Sequence, residues 1–149
     1  MQTDFLIIGG GIAGVSAAAR LSHLGRVTLL EAEEHLAHHA SGRSAALYEP
    51  HYGLPPVVAL SLASGDYLRQ TNGGVLSPRG MMIVAGPDER AEFERDIKVM
   101  ELDEISFDAA RAIVPIFNPD TVRYVGAADH AWDIDTDLLI QNFLREARG

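Results

Sequence analysis

The N-terminal part of the chain alternates apolar runs with glycine-rich turns, a pattern that predicts a strand, a helix and a second strand. Residues 5–8 form a short run of large apolar side chains, which is typical of a parallel strand buried on both faces. From Ile12, small and apolar residues recur at the spacing of one helix face until Gly25 stops the helix. Residues 26–31 then predict a second strand that ends on Glu31. These elements have the size of a βαβ unit, about thirty residues.

The rest of the chain mixes shorter elements with irregular segments. Residues 33–52, rich in His, Ser, Gly and Ala, predict a long loop. Spacing and capping residues then predict a helix over 55–70, a strand over 81–85, a helix starting at 86–88, a short helix over 108–114, a strand over 121–127 and a last helix capped by Asp135.

Charge and composition exclude several functions. The 149 residues contain 12 Lys+Arg and 21 Asp+Glu, a net charge of −9. Nucleic acids and anionic membranes attract basic surfaces, so neither is expected as the main partner. The chain has no cysteine, which excludes disulfides, thiolate metal ligands and a cysteine nucleophile.

The apolar segment 5–24 resembles a signal peptide or a membrane span only in its mean hydropathy. The residues before it carry an acidic charge at Asp4 and no basic side chain, whereas a signal peptide opens with positive charge. Four glycines and Arg20 also interrupt the segment. We therefore expect strand, turn and helix here, in a cytoplasmic protein.

The glycines of the first turn form the pattern Gly9-x-Gly11-x-x-Gly14 between a predicted strand and helix. In this context Gly9 permits a tight turn, Gly11 lets the backbone approach a pyrophosphate, and Gly14 lets the helix pack closely on the strand. Glu31 follows Gly11 by twenty residues, where a carboxylate can accept hydrogen bonds from a ribose. The pattern predicts dinucleotide binding and leaves NAD and FAD open.

The segment 41–46, Ser-Gly-Arg-Ser-Ala-Ala, adds a second feature shortly after Glu31. With the glycine pattern, it resembles the D-amino-acid oxidase-like family of FAD-dependent oxidoreductases. The nearest likeness is to D-arginine dehydrogenase-like amino-acid dehydrogenases. The likeness continues through 52–53, 76–79, 113–115 and 133–137, and so covers essentially the whole chain.

The resemblance implies an α/β fold: a Rossmann-type βαβ FAD-binding unit with part of an inserted α+β substrate domain. It assigns 1–79 and 129–149 to the FAD-binding domain and 80–128 to the substrate-binding domain. Family members are much longer than this chain, which is therefore expected to be incomplete. A missing C-terminal part or a partner chain would supply the rest of the sheet, a carboxylate-binding arginine and a second glycine-rich turn.

The resemblance also implies the cofactor, FAD, and its ligands. Arg43 and the hydroxyls of Ser41 and Ser44 suit phosphate oxygens through charge-assisted hydrogen bonds. No metal site is predicted, because the histidines at 35, 38 and 39 lie in an irregular loop without a well-placed carboxylate. His39 as a covalent attachment point for flavin is a minor alternative. The predicted FAD-binding residues are Gly9, Gly11, Ile12, Ala13, Gly14, Glu31, Ala32, Ser41, Arg43, Ser44 and Ala45.

The predicted substrate pocket contains Leu47, Tyr52 and Met81. Tyr52 matches the active-site tyrosine of the family and is predicted to contact the substrate, whereas Tyr48 is predicted to be a packing residue. Leu47 and Met81 replace a histidine and a carboxylate of relatives that act on basic amino acids. A cationic side chain would find no partner at Met81, so neutral, apolar or secondary amines are expected. Alternatively, Met81 only fills core volume.

The implied function is oxidative deamination of a (D-)amino acid or secondary amine by hydride transfer to flavin. The electron acceptor is not identified by the sequence. The 149-residue chain alone is expected to be inactive, because it lacks the family's carboxylate-binding arginine. Two alternatives remain open: an NAD(P)-binding oxidoreductase and a non-catalytic nucleotide-binding module.

Overall fold

The computed structural model describes residues 2–149, which form two compact units. The first unit contains the N-terminal segment up to Ala46, Leu68–Leu76 and Ile134–Gly149. The second contains Leu47–Tyr67 and Ser77–Asp133. The domains implied by the family resemblance are a different division, because they are distinguished by binding FAD or binding the substrate. Their boundaries stay a prediction.

The elements match the predicted ones closely, and the helix over 55–70 and the strand over 81–85 are confirmed to the residue. Four short strands were not predicted, since two or three residues are too few to show a period. The strands are β1 (Phe5–Ile8), β2 (Val27–Leu30), β3 (Leu47–Tyr48), β4 (Leu76–Pro78), β5 (Met81–Ala85), β6 (Asp103–Ile105), β7 (Tyr124–Ala128) and β8 (Trp132–Ile134). The helices are α1 (Ile12–Ser22), α2 (Pro55–Gln70), α3 (Arg90–Val99), α4 (Phe107–Ile113) and α5 (Thr136–Arg148).

The first unit contains the predicted βαβ arrangement. Strands β1 and β2 pair in parallel, with Phe5 opposite Val27 and Ile8 opposite Leu30, and α1 connects them. Helix α5 packs along α1, and the buried apolar side chains of the two helices are Val15, Ala18, Ala19, Leu139, Ile140 and Phe143. The small alanines let the two helices approach closely. As predicted, Asp135 caps α5: its Oδ1 accepts the Leu138 N–H at 2.8 Å.

Strand β1 is not buried on both faces, so that prediction is wrong. Ile7 faces α1, since a Cβ added to Gly14 would lie 3.4 Å from its Cγ2. The opposite face carries Leu6 and Ile8, whose exposed fractions are 57% and 84%. Within residues 2–149 the two strands are covered by helix on one side only, which explains this exposure.

The second unit contains the antiparallel sheet β5-β7-β6, in which Met82 pairs with Ala127 and Ile105 with Val125. Helix α3 packs on this sheet through the buried Phe93, whose ring stacks on Tyr124 at 5.6 Å. A second sheet has the order β3-β8-β4.

Tyr48 in β3 is a packing residue, as predicted. It is buried, lies 5.7 Å from the ring of Trp132, and donates its hydroxyl to the Ser61 carbonyl at 2.7 Å.

No helix within residues 2–149 is long and apolar enough to cross a membrane.

Candidate cofactor site

The turn between β1 and α1 is built on glycines. Gly9 has φ +104°, a left-handed conformation that favours glycine, and its N–H donates to the Leu30 carbonyl at 2.7 Å. A Cβ on Gly14 would collide with the carbonyl oxygen of Gly9. Helix α1 therefore begins so close to the strand that only glycine fits at position 14.

The N-terminus of α1 presents backbone N–H groups. Gly11 is the N-cap residue and offers no side-chain cap, while the Ile12 N–H donates to Ser41 Oγ at 2.9 Å. The next N–H groups of a first turn have no acceptor within the helix, and the helix dipole makes this end positive. A Cβ on Gly11 would lie 3.2 Å from Ser41 Oγ and would narrow the space through which a ligand reaches these N–H groups. This arrangement suits an anion such as a pyrophosphate.

Glu31 lies beside the same turn, directly after β2. Its Oε2 accepts the Gly10 N–H at 2.5 Å, and its Oε1 accepts the N–H groups of Ala32 at 2.8 Å and Glu33 at 3.1 Å. These bonds, above all that from Gly10, hold the pKa of Glu31 below its ordinary value. An ionised carboxylate accepts about four hydrogen bonds, so capacity remains for a ribose hydroxyl.

The segment 41–46 meets the glycine turn through Ser41. Ser44 instead closes a local turn, its Oγ accepting the N–H of Ala46 at 3.0 Å, and Ala46 has φ +52°. Arg43 is exposed, with Nη2 3.4 Å from His38 Nε2, so most of its guanidinium donors remain available. The predicted ligands Ile12, Ala13, Ala32 and Ala45 are also exposed.

Sequence reasoning missed Gly10, although three consecutive glycines were the available signal. Gly10 is buried, and a Cβ there would collide with the Leu36 side chain and lie 3.0 Å from Glu31 Oε2. Its N–H is also the strongest influence on the Glu31 carboxyl. The nearby His39 is exposed, with Nε2 2.9 Å from Glu33 Oε1, and covalent flavin attachment there stays an untested alternative.

In the second unit, the three predicted pocket residues Leu47, Tyr52 and Met81 line one open cavity of about 550 Å³. Their contact with a substrate stays a prediction. The wall also carries four carboxylates, and among its described lining residues none is Lys, Arg or His. The carboxylates are Glu49, Glu89, Glu92 and Asp96. The expectation that a cationic substrate finds no partner considered only positions 47 and 81 and stays a prediction. Two of the four carboxylates, Glu92 and Asp96, already lie 3.9 and 3.6 Å from Arg95.

Three of these acids, Glu89, Glu92 and Asp96, come from α3 and the residue before it. Positions 89, 92 and 96 are separated by three and four residues, so their side chains share one face of the helix. The same spacing also brings Phe93 to the wall.

Residues 4–149 match the protein family described as FAD dependent oxidoreductase. The chain belongs to this family. The predicted cofactor, FAD, is thereby confirmed, and the alternative of an NAD(P)-binding oxidoreductase is wrong. In this family member, the glycine turn at residues 9–14, the N–H groups at the α1 N-terminus and the hydrogen-bonded Glu31 fit the cofactor. Which of its residues contact FAD stays a prediction.

One known protein is similar in sequence to part of this chain, and two solved structures are similar to almost all of it. The tRNA 5-methylaminomethyl-2-thiouridine biosynthesis bifunctional protein MnmC of Burkholderia thailandensis is 36% identical over 70 residues, 46% of this chain and 11% of that protein. The structure of L-alpha-glycerophosphate oxidase from Mycoplasma pneumoniae, with FAD bound, superposes with a TM-score of 0.83 and 22% identity. L-proline dehydrogenase from P. horikoshii gives a TM-score of 0.78 and 20% identity.

These solved structures confirm the predicted α/β fold class. Each covers 99% of this chain, which spans only 43% of the oxidase chain and 42% of the dehydrogenase chain. The chain therefore has less than half the length of both enzymes.

Proposed function

We propose that this chain provides the nucleotide-binding βαβ unit, and part of the substrate-binding region, of an enzyme that oxidises an amine or amino acid. The observation that carries the proposal is the meeting of three segments at the α1 N-terminus. The Ile12 N–H is bonded to Ser41, and the Gly10 N–H is bonded to Glu31. The first unit therefore has hydrogen-bond donors for a pyrophosphate and a hydrogen-bond acceptor for a ribose beside one another.

Each of these residues has a defined part in holding FAD. The first-turn N–H groups from Gly11 to Gly14 bind the pyrophosphate, with Ser41 and Arg43 beside them. Glu31 accepts a ribose hydroxyl. Once bound, FAD supplies the flavin ring that accepts a hydride, and the chain orients it. Under the same proposal 1–79 and 129–149 bind FAD, while 80–128 belong to the substrate domain.

The cavity of the second unit supports an amine as substrate. The exposed charged side chains among its described lining residues are the three carboxylates of Glu89, Glu92 and Asp96 and none is basic, which favours a protonated amine over a phosphate ester. Tyr52, 68% exposed, provides a hydroxyl to contact that substrate. The name of the L-proline dehydrogenase fits this class, whereas that of the L-alpha-glycerophosphate oxidase implies an anion. D-Arginine dehydrogenase-like specificity is one form of the proposal.

Cofactor binding is tested by titrating FAD into the purified chain and following flavin fluorescence. Ser41→Ala and Glu31→Gln each remove one side-chain contribution, so each should weaken binding by about 1–2 kcal/mol. Ser64→Ala and Glu34→Gln are matched controls, since neither residue belongs to the glycine turn, to the segment 41–46 or to the hydrogen bonds of Glu31. If the site variants bind FAD as tightly as the controls do, the proposed site is wrong.

Substrate class is tested in a protein that contains this chain together with any continuation encoded by its gene. With a dye acceptor, amines and amino acids should be oxidised and glycerol phosphates should not. The 149-residue chain alone should show no turnover above free FAD. Faster oxidation of a phosphate ester than of any amine would contradict the proposed substrate class. A cytoplasmic location stays a prediction from the N-terminal sequence.

A further inference from the structure

We propose that Glu49, His51 and His130, in the second unit, bind a divalent transition metal of the Zn²⁺ class. Each residue offers a ligand atom, and these atoms all lie within 4.8 Å of one another. One carboxylate and two imidazoles are a donor set that suits Zn²⁺ and leaves a fourth position for water. None of the three belongs to the predicted FAD-binding set.

The Glu49 carboxylate is the strongest evidence. Its side chain is only 2% exposed. One oxygen, Oε1, accepts the backbone N–H of His51 at 2.9 Å. The other, Oε2, is buried without a hydrogen-bond partner among the residues that the structure describes. A buried carboxylate oxygen without a partner is costly, and a bound cation would remove that cost.

His51 faces this carboxylate with a nitrogen that also lacks a partner. Its Nδ1 is buried and lies 3.3 Å from Glu49 Oε1, without the geometry of a hydrogen bond. Its Nε2 lies 3.5 Å from Glu101 Oε2. With the proton on Nε2, this nitrogen faces Glu101, which orients the ring. The lone pair of Nδ1 then lies on the side of the Glu49 carboxylate, as in carboxylate–histidine–metal arrangements. In this tautomer the two acceptors repel each other across the gap, and a metal cation bound between them would remove that repulsion.

His130 completes the cluster beside His51, with the centroids of the two imidazole rings 5.0 Å apart. Its Nε2 lies 3.5 Å from Glu49 Oε2 and 3.0 Å from the Met100 carbonyl oxygen. Ligand atoms about 2.0–2.1 Å from a tetrahedral Zn²⁺ are separated by roughly 3.4 Å. Each imidazole nitrogen lies near this distance from one carboxylate oxygen, His51 Nδ1 from Oε1 at 3.3 Å and His130 Nε2 from Oε2 at 3.5 Å, so the carboxylate faces the metal position with both oxygens. Metal binding would replace the Nε2 proton and its contact with Met100. Affinity should therefore rise with pH.

A second group of potential ligands provides the matched control. Glu33, His38 and His39 also lie within 4.8 Å of one another, but both histidines are exposed and the His39 side chain is 71% exposed. His39 already contacts Glu33 at 2.9 Å. This second group therefore lacks the buried, unpartnered atoms that distinguish the first.

The test is a Zn²⁺ titration of the chelator-treated chain against a chromophoric competitor, near pH 8. One tightly bound Zn²⁺ per chain is expected. His130→Ala should weaken binding at least about 100-fold, and Glu101→Gln about 10-fold, because Glu101 acts through His51. The control variant, His38→Ala combined with His39→Ala, should bind as the wild type does. At a concentration 100 times Kd, Zn²⁺ should raise Tm by about 5–10 °C.

Three results would overturn the proposal. One is the absence of stoichiometric binding near pH 8. Another is binding that survives His130→Ala but is lost in the His38→Ala, His39→Ala control. The third is an affinity that does not rise between about pH 6 and 8, because an imidazole nitrogen must be free of its proton to bind a metal. If His130→Ala does not fold, ring-nitrogen NMR of the wild type decides: Zn²⁺ must shift the signals of His51 and His130.

Discussion

The two units differ in the groups that they present to a charged ligand. At the α1 N-terminus the donors are backbone N–H groups, and the glycines at 9, 11 and 14 keep side chains away from them. In the second unit the charge is carried by side chains: carboxylates along one cavity and the buried cluster around Glu49. The first arrangement suits an anion and the second a cation.

This difference predicts which changes each region tolerates. The fold of the glycine turn should tolerate side-chain changes around it better than an added Cβ at position 14, since the close contact there is with backbone. The Glu49 cluster should be most sensitive to changes of side-chain charge, because a carboxylate oxygen is the group that lacks a hydrogen-bond partner.

Gly14→Ala should have the largest effect. Its Cβ would collide with the Gly9 carbonyl oxygen, a backbone atom that cannot rotate away. We expect a loss of about 1–3 kcal/mol of unfolding free energy in urea, together with loss of FAD binding. Gly11→Ala is the comparison, since its Cβ would meet only the movable Ser41 hydroxyl, at 3.2 Å. Equal stability losses in the two variants would contradict the described packing.

Glu49→Gln should act in the opposite direction in the metal-free chain. The amide keeps the acceptor for the His51 N–H and removes a buried negative charge whose second oxygen, Oε2, has no hydrogen-bond partner among the described residues. Unfolding free energy near pH 8, in the presence of a chelator, should increase by about 1–2 kcal/mol. A less stable variant would mean that the folded chain already compensates the Glu49 charge.

Asp135→Ala should cost the first unit about 1 kcal/mol. It removes the cap of α5, whose Oδ1 accepts the Leu138 N–H at 2.8 Å. Asp137→Ala is the matched control, because Asp137 lies in the same first turn but does not cap the helix. Urea unfolding of both variants measures the difference, and equal losses would count against the cap.

Glu31→Gln should have the smallest effect on stability, and that effect should depend on pH. The bonds from Gly10, Glu33 and Ala32 hold the pKa of Glu31 below its usual 4.5 in the folded chain. A depressed carboxyl pKa stabilises folding above the unfolded value, and this contribution is lost as pH falls through the folded pKa. The wild type should therefore exceed the variant in stability at neutral pH, and the gap should close in acid. A constant gap would contradict the described bonds.

How far the sequence predicts each region follows from the distance between the residues involved. Strand β1, Gly14 and Glu31 follow local patterns, so the βαβ unit was predicted nearly complete. The contact between Ser41 and Ile12 joins residues 29 positions apart and was not predicted, since the family resemblance implied only that Ser41 binds phosphate. The exposure of Ile8 could not be predicted, because an apolar run does not show which faces other elements will cover.

The Glu49 cluster was missed for a related reason. Glu49 and His51 are neighbours, but His130 comes from the segment between β7 and β8, and no local spacing connects them. The histidines that do stand together in the sequence, at 38 and 39, are exposed. Proximity along the chain was therefore a poor guide to a buried ligand set.

The central claim is that FAD binds at the α1 N-terminus, and an amide NMR titration of the isotope-labelled chain with FAD tests it most directly. The account predicts saturable shifts centred on the amides of Gly10 to Gly14, Ala32 and Ser41, with the amides of the second-unit sheet, such as Gly126, unchanged. Gly11→Val should abolish these shifts. Shifts that leave the glycine turn unaffected, or that persist in Gly11→Val, would contradict the account.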